Sequence, residues 1–196
     1  ENLALDMFFN KDLATKYVDY ATDISIEYLK VIDSQADLDC TFLASASDNP
    51  DIFGTEAFLR FTVPNLRRLR GASADLGLPT VFHPHGDLSA PENLPLVEDI
   101  IATGVEGFQF AERNDHLALR KAFGKRIALM GGIDAFSTLL LGPVERIVKE
   151  TEGFLNDFRP WDRYVFMCSC SLHRGMPLAH VDAMMDSVLG FAKKDI

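Results

Sequence analysis

Short apolar segments of strand length recur along this chain, and each alternates with a stretch whose apolar residues fall at helical spacing. The strand-like segments are 36–43, 78–85, 105–110, 127–130 and 163–170. The helical patterns cover about 13–32, 55–76, 94–103, 115–123, 143–156 and 178–193. Each strand-like run is too apolar on both of its alternating faces to meet water on either. A parallel sheet covered by helices satisfies that demand, because parallel strands need crossover connections and those connections bury the sheet. The expected class is therefore α/β, built from parallel (β/α) units in one domain over residues 1–196. Such units build either an open doubly wound sheet or part of an eight-stranded barrel. The dinucleotide fingerprint of the doubly wound fold is missing, since Gly131-Gly132 is followed by no third glycine at the required spacing.

Local signals refine this outline. Leu13, Tyr17, Tyr20, Ile24, Tyr28 and Leu29 mark an amphipathic helix that Asn10 is placed to cap. Pro64 predicts a kink or division within 55–76, and Gly124 closes the helix 115–123. Between the first strand and the second helix, Ser45-Ala46-Ser47-Asp48-Asn49-Pro50 is a long polar loop.

Composition excludes several functions. A formal charge of −10 and a pI near 4.9 make nucleic acid and anionic membrane surfaces unfavourable partners, because both would repel the chain. No apolar run approaches the roughly 20 residues that span a bilayer, and the first residues lack the basic flank of a secretory signal, so a cytoplasmic setting is expected. Three cysteines cannot all pair. Cys168 and Cys170, two apart on one apparent strand, have poor geometry for a disulfide and read as free thiols or metal ligands. Cys40, placed mid-strand, reads as a core residue.

Chemistry is expected where the strands end. The run Leu78-Pro79-Thr80-Val81-Phe82 stops in His83-Pro84-His85-Gly86-Asp87, and alternation puts the two imidazoles on one face. Other strand ends supply Glu112, Asp134, Cys168 and Cys170. Two imidazoles, a carboxylate and a thiolate suit zinc, which accepts mixed nitrogen, oxygen and sulfur donors. Equally, the histidines are hydrogen-bonded groups lining a substrate pocket and the cysteines are small core residues. Of the two cysteines, Cys170 lies closer to the following turn and is the better ligand. Glu112 either serves the metal or pairs with Arg113, and Asp134 either holds substrate or caps the next helix. His173 is a minor candidate; His116 and His180 fall on helices and read as ordinary half-buried imidazoles.

Taken in order, Phe82-His83-Pro84-His85-Gly86-Asp87, Gly104-Val105-Glu106-Gly107-Phe108-Gln109-Phe110-Ala111-Glu112, Leu129-Met130-Gly131-Gly132-Ile133-Asp134 and Cys170 with Pro177 resemble the C-terminal part of the uroporphyrinogen decarboxylase superfamily. That superfamily holds porphyrinogen decarboxylases and zinc-dependent methyltransferases that work with methylated corrinoid proteins. The methyltransferase branch carries a His-x-Cys pair and a second Cys seven residues before a Pro. Here Cys170 stands seven residues before Pro177, and His85 replaces the usual Cys of the pair.

The resemblance implies zinc (Zn2+) held by His83, His85 and Cys170, with Glu112 as a carboxylate that incoming substrate displaces. It implies a corrinoid protein as partner, a small-molecule methyl donor or acceptor, and methyl transfer to a thiol or from a methyl ether. It also implies later strands of a TIM-type (β/α)8 barrel, incomplete over 196 residues, so that the chain is expected to be a portion of a longer protein or to self-associate. The alternatives are a metal-free porphyrinogen decarboxylase, a metal-dependent hydrolase using the His-x-His pair, or an inactive docking module.

Overall fold

The computed structural model describes residues 2–45 and 49–193. Its elements run α1 (Asn2–Phe9), α2 (Lys11–Asp33), β1 (Thr41–Ser45), α3 (Pro50–Ala57), a π-helical segment (Phe58–Thr62), α4 (Val63–Asp75), β2 (Thr80–Pro84), α5 (Leu96–Ala102), β3 (Gly107–Gln109), α6 (His116–Phe123), β4 (Ala128–Gly131), a second π-helical segment (Ala135–Leu140), α7 (Val144–Asp157), β5 (Tyr164–Phe166) and α8 (Leu178–Lys193).

The five strands form one wholly parallel sheet whose spatial order is their chain order, β1-β2-β3-β4-β5. Crossovers that always step in the same direction, in the right-handed sense that parallel β-α-β connections take, carry the connecting helices to one face. A doubly wound sheet reverses its order and places helices on both faces, so this connectivity is that of (β/α)-barrel units.

One register row runs across the sheet: Leu43, Phe82, Phe108, Leu129 and Tyr164. All five belong to or pack against the main core with Leu96, Val97, Ile100, Leu119 and Phe123 from the helices. Each fully buried Phe or Leu in that row contributes about 1.5–3 kcal/mol of hydrophobic stabilisation. The opposite face carries Phe42, Val81, His83, Gln109, Met130 and Val165. It is open at its edges, where Phe42 and Val165 are 48% and 47% exposed. A second core beneath the C-terminal strands joins Ile133, Leu139, Ile147, Met176 and Met184.

Several local expectations change. β1 starts at Thr41, which places Cys40 ahead of the strand and exposed to solvent instead of in the core. Asn10 occupies the start of α2 without a side-chain cap bond. The stripe on α2 faces outward: Tyr17, Tyr20, Ile24 and Tyr28 are exposed, while Ala14 and Thr22 are its buried residues. Arg68, paired with Asp19 and Asp23, ties α2 to α4. The second helix begins at Pro50, where the Asn49 side chain accepts a bond from the Asp51 backbone N–H. Its break falls at Gly54 (φ 81°), and the wider π-helical turns before Pro64 accommodate the proline ring without ending the helix. Of the expected polar loop, Ala46, Ser47 and Asp48 lie outside the described residues.

Candidate metal centre

His83 is the next-to-last residue of β2, and His85 follows just past the strand's end at Pro84. The alternation holds: their rings lie side by side, centroids 4.9 Å apart. Gly86 allows the chain to turn away at once. Its φ of 103° is one that only glycine adopts readily, and a Cβ there would overlap the Asn49 side chain. The turn is then fixed by Asn114, whose amide donates to the Gly86 carbonyl (2.9 Å) and whose oxygen accepts from the Leu88 N–H (2.8 Å).

The thiol arrives from β5. That strand ends at Phe166, so Cys168 and Cys170 lie in the segment beyond it and not on the strand as expected. Backbone bonds from Met167 N to the Gly131 carbonyl (3.2 Å) and from Ser169 N to the Ile133 carbonyl (3.0 Å) carry the segment along the end of β4. Cys168 is buried in the second core, where burial raises its thiol pKa, and its thiol donates to the Cys170 carbonyl (2.9 Å). Cys170 is half-buried.

His83, His85 and Cys170 each offer one ligand atom, and these atoms lie within 4.8 Å of one another. His83 is 4% exposed and its Nδ1 lies 3.1 Å from the Gln109 backbone carbonyl. A carbonyl only accepts, so Nδ1 carries the proton and Nε2 keeps a free lone pair. That Nε2 is buried and has no hydrogen-bond partner. Burial is the largest influence on this ring and holds its pKa below the ordinary imidazole range. The Gln109 carbonyl opposes it, His85 adds to it, and Glu112 opposes it again. The ring is thus neutral at pH 7, as a metal ligand must be.

A buried imidazole with a partnerless nitrogen, grouped with a second imidazole and a thiol, is the donor chemistry of zinc. Ligands at about 2.0–2.3 Å in tetrahedral geometry stand about 3.3–3.8 Å apart. Closing from 4.8 Å asks only small rotations of His85 and Cys170, both half-buried. The residues fit the ion.

Glu112 is exposed at the rim, and its charge reaches His83. It does not pair with Arg113, which lies 3.7 Å from Asp51 instead. Asp134 accepts bonds from the backbone N–H groups of Phe136 (2.7 Å) and Ser137 (3.0 Å) and from the Ser137 hydroxyl, so it caps the π-helical segment after β4. Neither carboxylate joins the three converging donors. His173 packs on Phe136, His116 pairs with Asp157, and His180 bonds the Leu139 carbonyl. The sequence reading passed over Gln109 and Ser169. A polar residue inside an otherwise apolar strand-end segment is the available signal, because such a group stays buried only when its bonds are made.

The sequence matches the Uroporphyrinogen decarboxylase (URO-D) profile over residues 1–191. The chain belongs to the URO-D family. It is 26% identical over 179 residues to the methylcobamide:CoM methyltransferase MtaA of Methanosarcina barkeri, covering 89% of this chain and 48% of that protein. It is 29% identical over 94 residues to the uroporphyrinogen decarboxylase of Yersinia pestis (strain Pestoides F), covering 48% of this chain and 26% of that protein. A solved methyltransferase from Methanosarcina mazei superposes with a TM-score of 0.82 at 24% identity, covering 97% of this chain and 53% of that one. The URO-D-family chain thus spans about half the length of the methyltransferases it matches, and it shares their fold. Among its described residues, no helix is long and apolar enough to cross a membrane.

Proposed function

We propose that this chain carries the acceptor-activating site of a corrinoid-dependent methyltransferase, with zinc held by His83, His85 and Cys170. The observation that carries this reading is the convergence of His83, His85 and Cys170, with a His83 Nε2 that is buried and free of partners. When bound, zinc supplies a Lewis acid that lowers the pKa of a coordinating thiol into the neutral range.

The chain's own residues do the rest. Gln109 holds the His83 ring in the tautomer that presents Nε2. Cys170 gives up its proton to bind. Glu112, exposed at the rim with its charge reaching His83, would be the carboxylate that an incoming thiol displaces. Asp134 is left with its capping role. A corrinoid would supply the methyl group, and the rim carrying His83, His85 and Cys170 would hold the accepting thiol for it. The corrinoid is supplied by a partner protein, and the acidic surface of this chain disfavours nucleic acid in that role.

Similarity to a decarboxylase over 94 residues supports a second reading, release of carbon dioxide from a porphyrinogen without metal. Two assays separate them: zinc content with methyl transfer from methylcobalamin to a thiol, and carbon dioxide release from the porphyrinogen. About one zinc per chain, lost together with thiol methylation in Cys170→Ala, is the expected result. Full activity and zinc content in that variant would overturn the proposal.

A further inference from the structure

The nitrogen and sulfur halves of the site come from β2 and from the segment after β5, and one residue of β3 touches both. Gln109 is 2% exposed. Its backbone carbonyl meets His83 Nδ1 at 3.1 Å, and its side-chain Nε2 donates to the Cys168 carbonyl at 3.1 Å, two residues before Cys170. The Cys168–Cys170 segment lies past the last strand residue, so few ladder bonds fix it. The Gln109 amide is a tie from the strand beside His83 directly to that segment.

An amide at this place is chemically informative. On the same face of the sheet the neighbouring register partner is Met130, and an apolar side chain of glutamine's size would fill the same space. What it would lack is the N–H that satisfies the Cys168 carbonyl, and an unsatisfied buried acceptor lets its segment move to find water. Movement there displaces Cys170 relative to His83, and metal affinity depends steeply on such spacing.

We propose that Gln109 is a positioning residue of the metal site: it sets the separation between the His83 nitrogen and the Cys170 sulfur before any ion binds. The proposal rests on the zinc reading above.

The test compares the wild-type chain with Gln109→Met, which keeps size and removes the donor. The readouts are zinc affinity by chelator competition and the cobalt(II)-substituted spectrum, in which a thiolate-to-cobalt charge-transfer band reports Cys170. The expected result is zinc affinity weaker by about 10–100-fold, with a diminished thiolate band. A purely structural role would lower thermal stability while leaving the affinity of the folded protein and its band unchanged, and that outcome overturns the proposal.

A second measurement needs no folded variant at this site. The chain contains two glutamines, Gln35 and Gln109, and Gln35 is exposed. Glutamine-selective 15N labelling therefore gives two side-chain amide pairs, assigned with Gln35→Ala. In metal-free wild type the Gln109 amide protons should exchange far more slowly than those of Gln35. Equal exchange would show that the tie is not made and would overturn the proposal. Wild-type protein that takes up neither zinc nor cobalt defeats the metal reading and this proposal with it. Normal uptake with an indifferent Gln109→Met defeats this proposal alone.

Discussion

Gly132 offers a steric test of how closely the metal ligands depend on the end of the sheet. The residue is buried where β4 has just ended, and a Cβ built on it would stand 2.5 Å from the Met167 carbonyl oxygen and 2.7 Å from the Phe166 ring. Gly132 does not adopt a left-handed φ, so alanine meets no backbone penalty and the perturbation is contact alone. Real Cβ contacts begin at 3.0–3.4 Å, so the Met167 backbone must retreat by about 0.5–0.9 Å. Met167 N and Ser169 N bond the carbonyls of Gly131 and Ile133, so the displacement passes into the segment that carries Cys170. Metal sites tolerate only about ±0.2 Å in ligand distance, which is well below that shift. Overpacking of this kind costs about 1–3 kcal/mol, or roughly 2–12 °C in thermal midpoint for a chain of this size. Gly132→Ala is therefore expected to lower the midpoint by that amount and to weaken zinc binding at least tenfold by chelator competition. The matched control is Gly153→Ala in α7, where nothing lies within 4 Å of the new Cβ and a helical alanine stabilises slightly. A Gly132→Ala protein with unchanged midpoint and zinc affinity would refute the claim that the β4 end positions the thiol.

Two further outcomes are expected. Asp134 has a folded-state pKa below its ordinary value: burial opposes this, but bonds from Ser137 and Phe136, with Arg146 nearby, outweigh it. Its stabilisation is thus fully present above the unfolded value near 3.8 and is lost as pH falls through the lower, folded value. Asp134→Ala should cost about 1 kcal/mol at pH 7, as lost caps do, with a gap from wild type that narrows below pH 4 in thermal melts. Zinc content should be retained, and loss of methyl transfer at undiminished stability would instead make Asp134 catalytic. The sheet face with exposed Phe42 and Val165 and the outward Tyr17, Tyr20, Ile24 and Tyr28 should drive self-association above the 21.8 kDa chain mass or bind a hydrophobic dye; a dye-silent monomer by light scattering would count against this.

The fold was legible where hydrophobic burial decides local structure. The five apolar runs became the five strands because each is covered by helices on one face and carries few polar groups on the other. The end of the chain, residues 178–193, reads as a helix and is one, because no competing signal interrupts it. Boundaries failed where hydrogen bonding decides. Cys168 and Cys170 continue an apolar run, yet the regular ladder stops at Phe166 and the segment is held partly by side chains. The α2 stripe misled for a different reason: its spacing reports an apolar face, but spacing does not say what covers that face. For the site, alternation alone placed His83 and His85 together. The approach of Cys170 required the three-dimensional order of the strands.

That order explains how so dispersed a set of ligands meets. Consecutive parallel strands leave their C-terminal ends along one rim, so residues far apart in sequence become neighbours without any local pattern. The donors are not equally prepared. His83 is buried, with its tautomer fixed and Nε2 unsatisfied, whereas His85 and Cys170 are half-buried and freer to turn. Desolvating His83 Nε2 without a partner costs about 1–3 kcal/mol, and the surrounding core meets that cost through Phe82 and Phe108 on the other face of the same strands. An ion bound at the proposed site would recover that lost interaction and would have only to order two side chains. A metal bound at this site would place its charge against that buried, unsatisfied nitrogen.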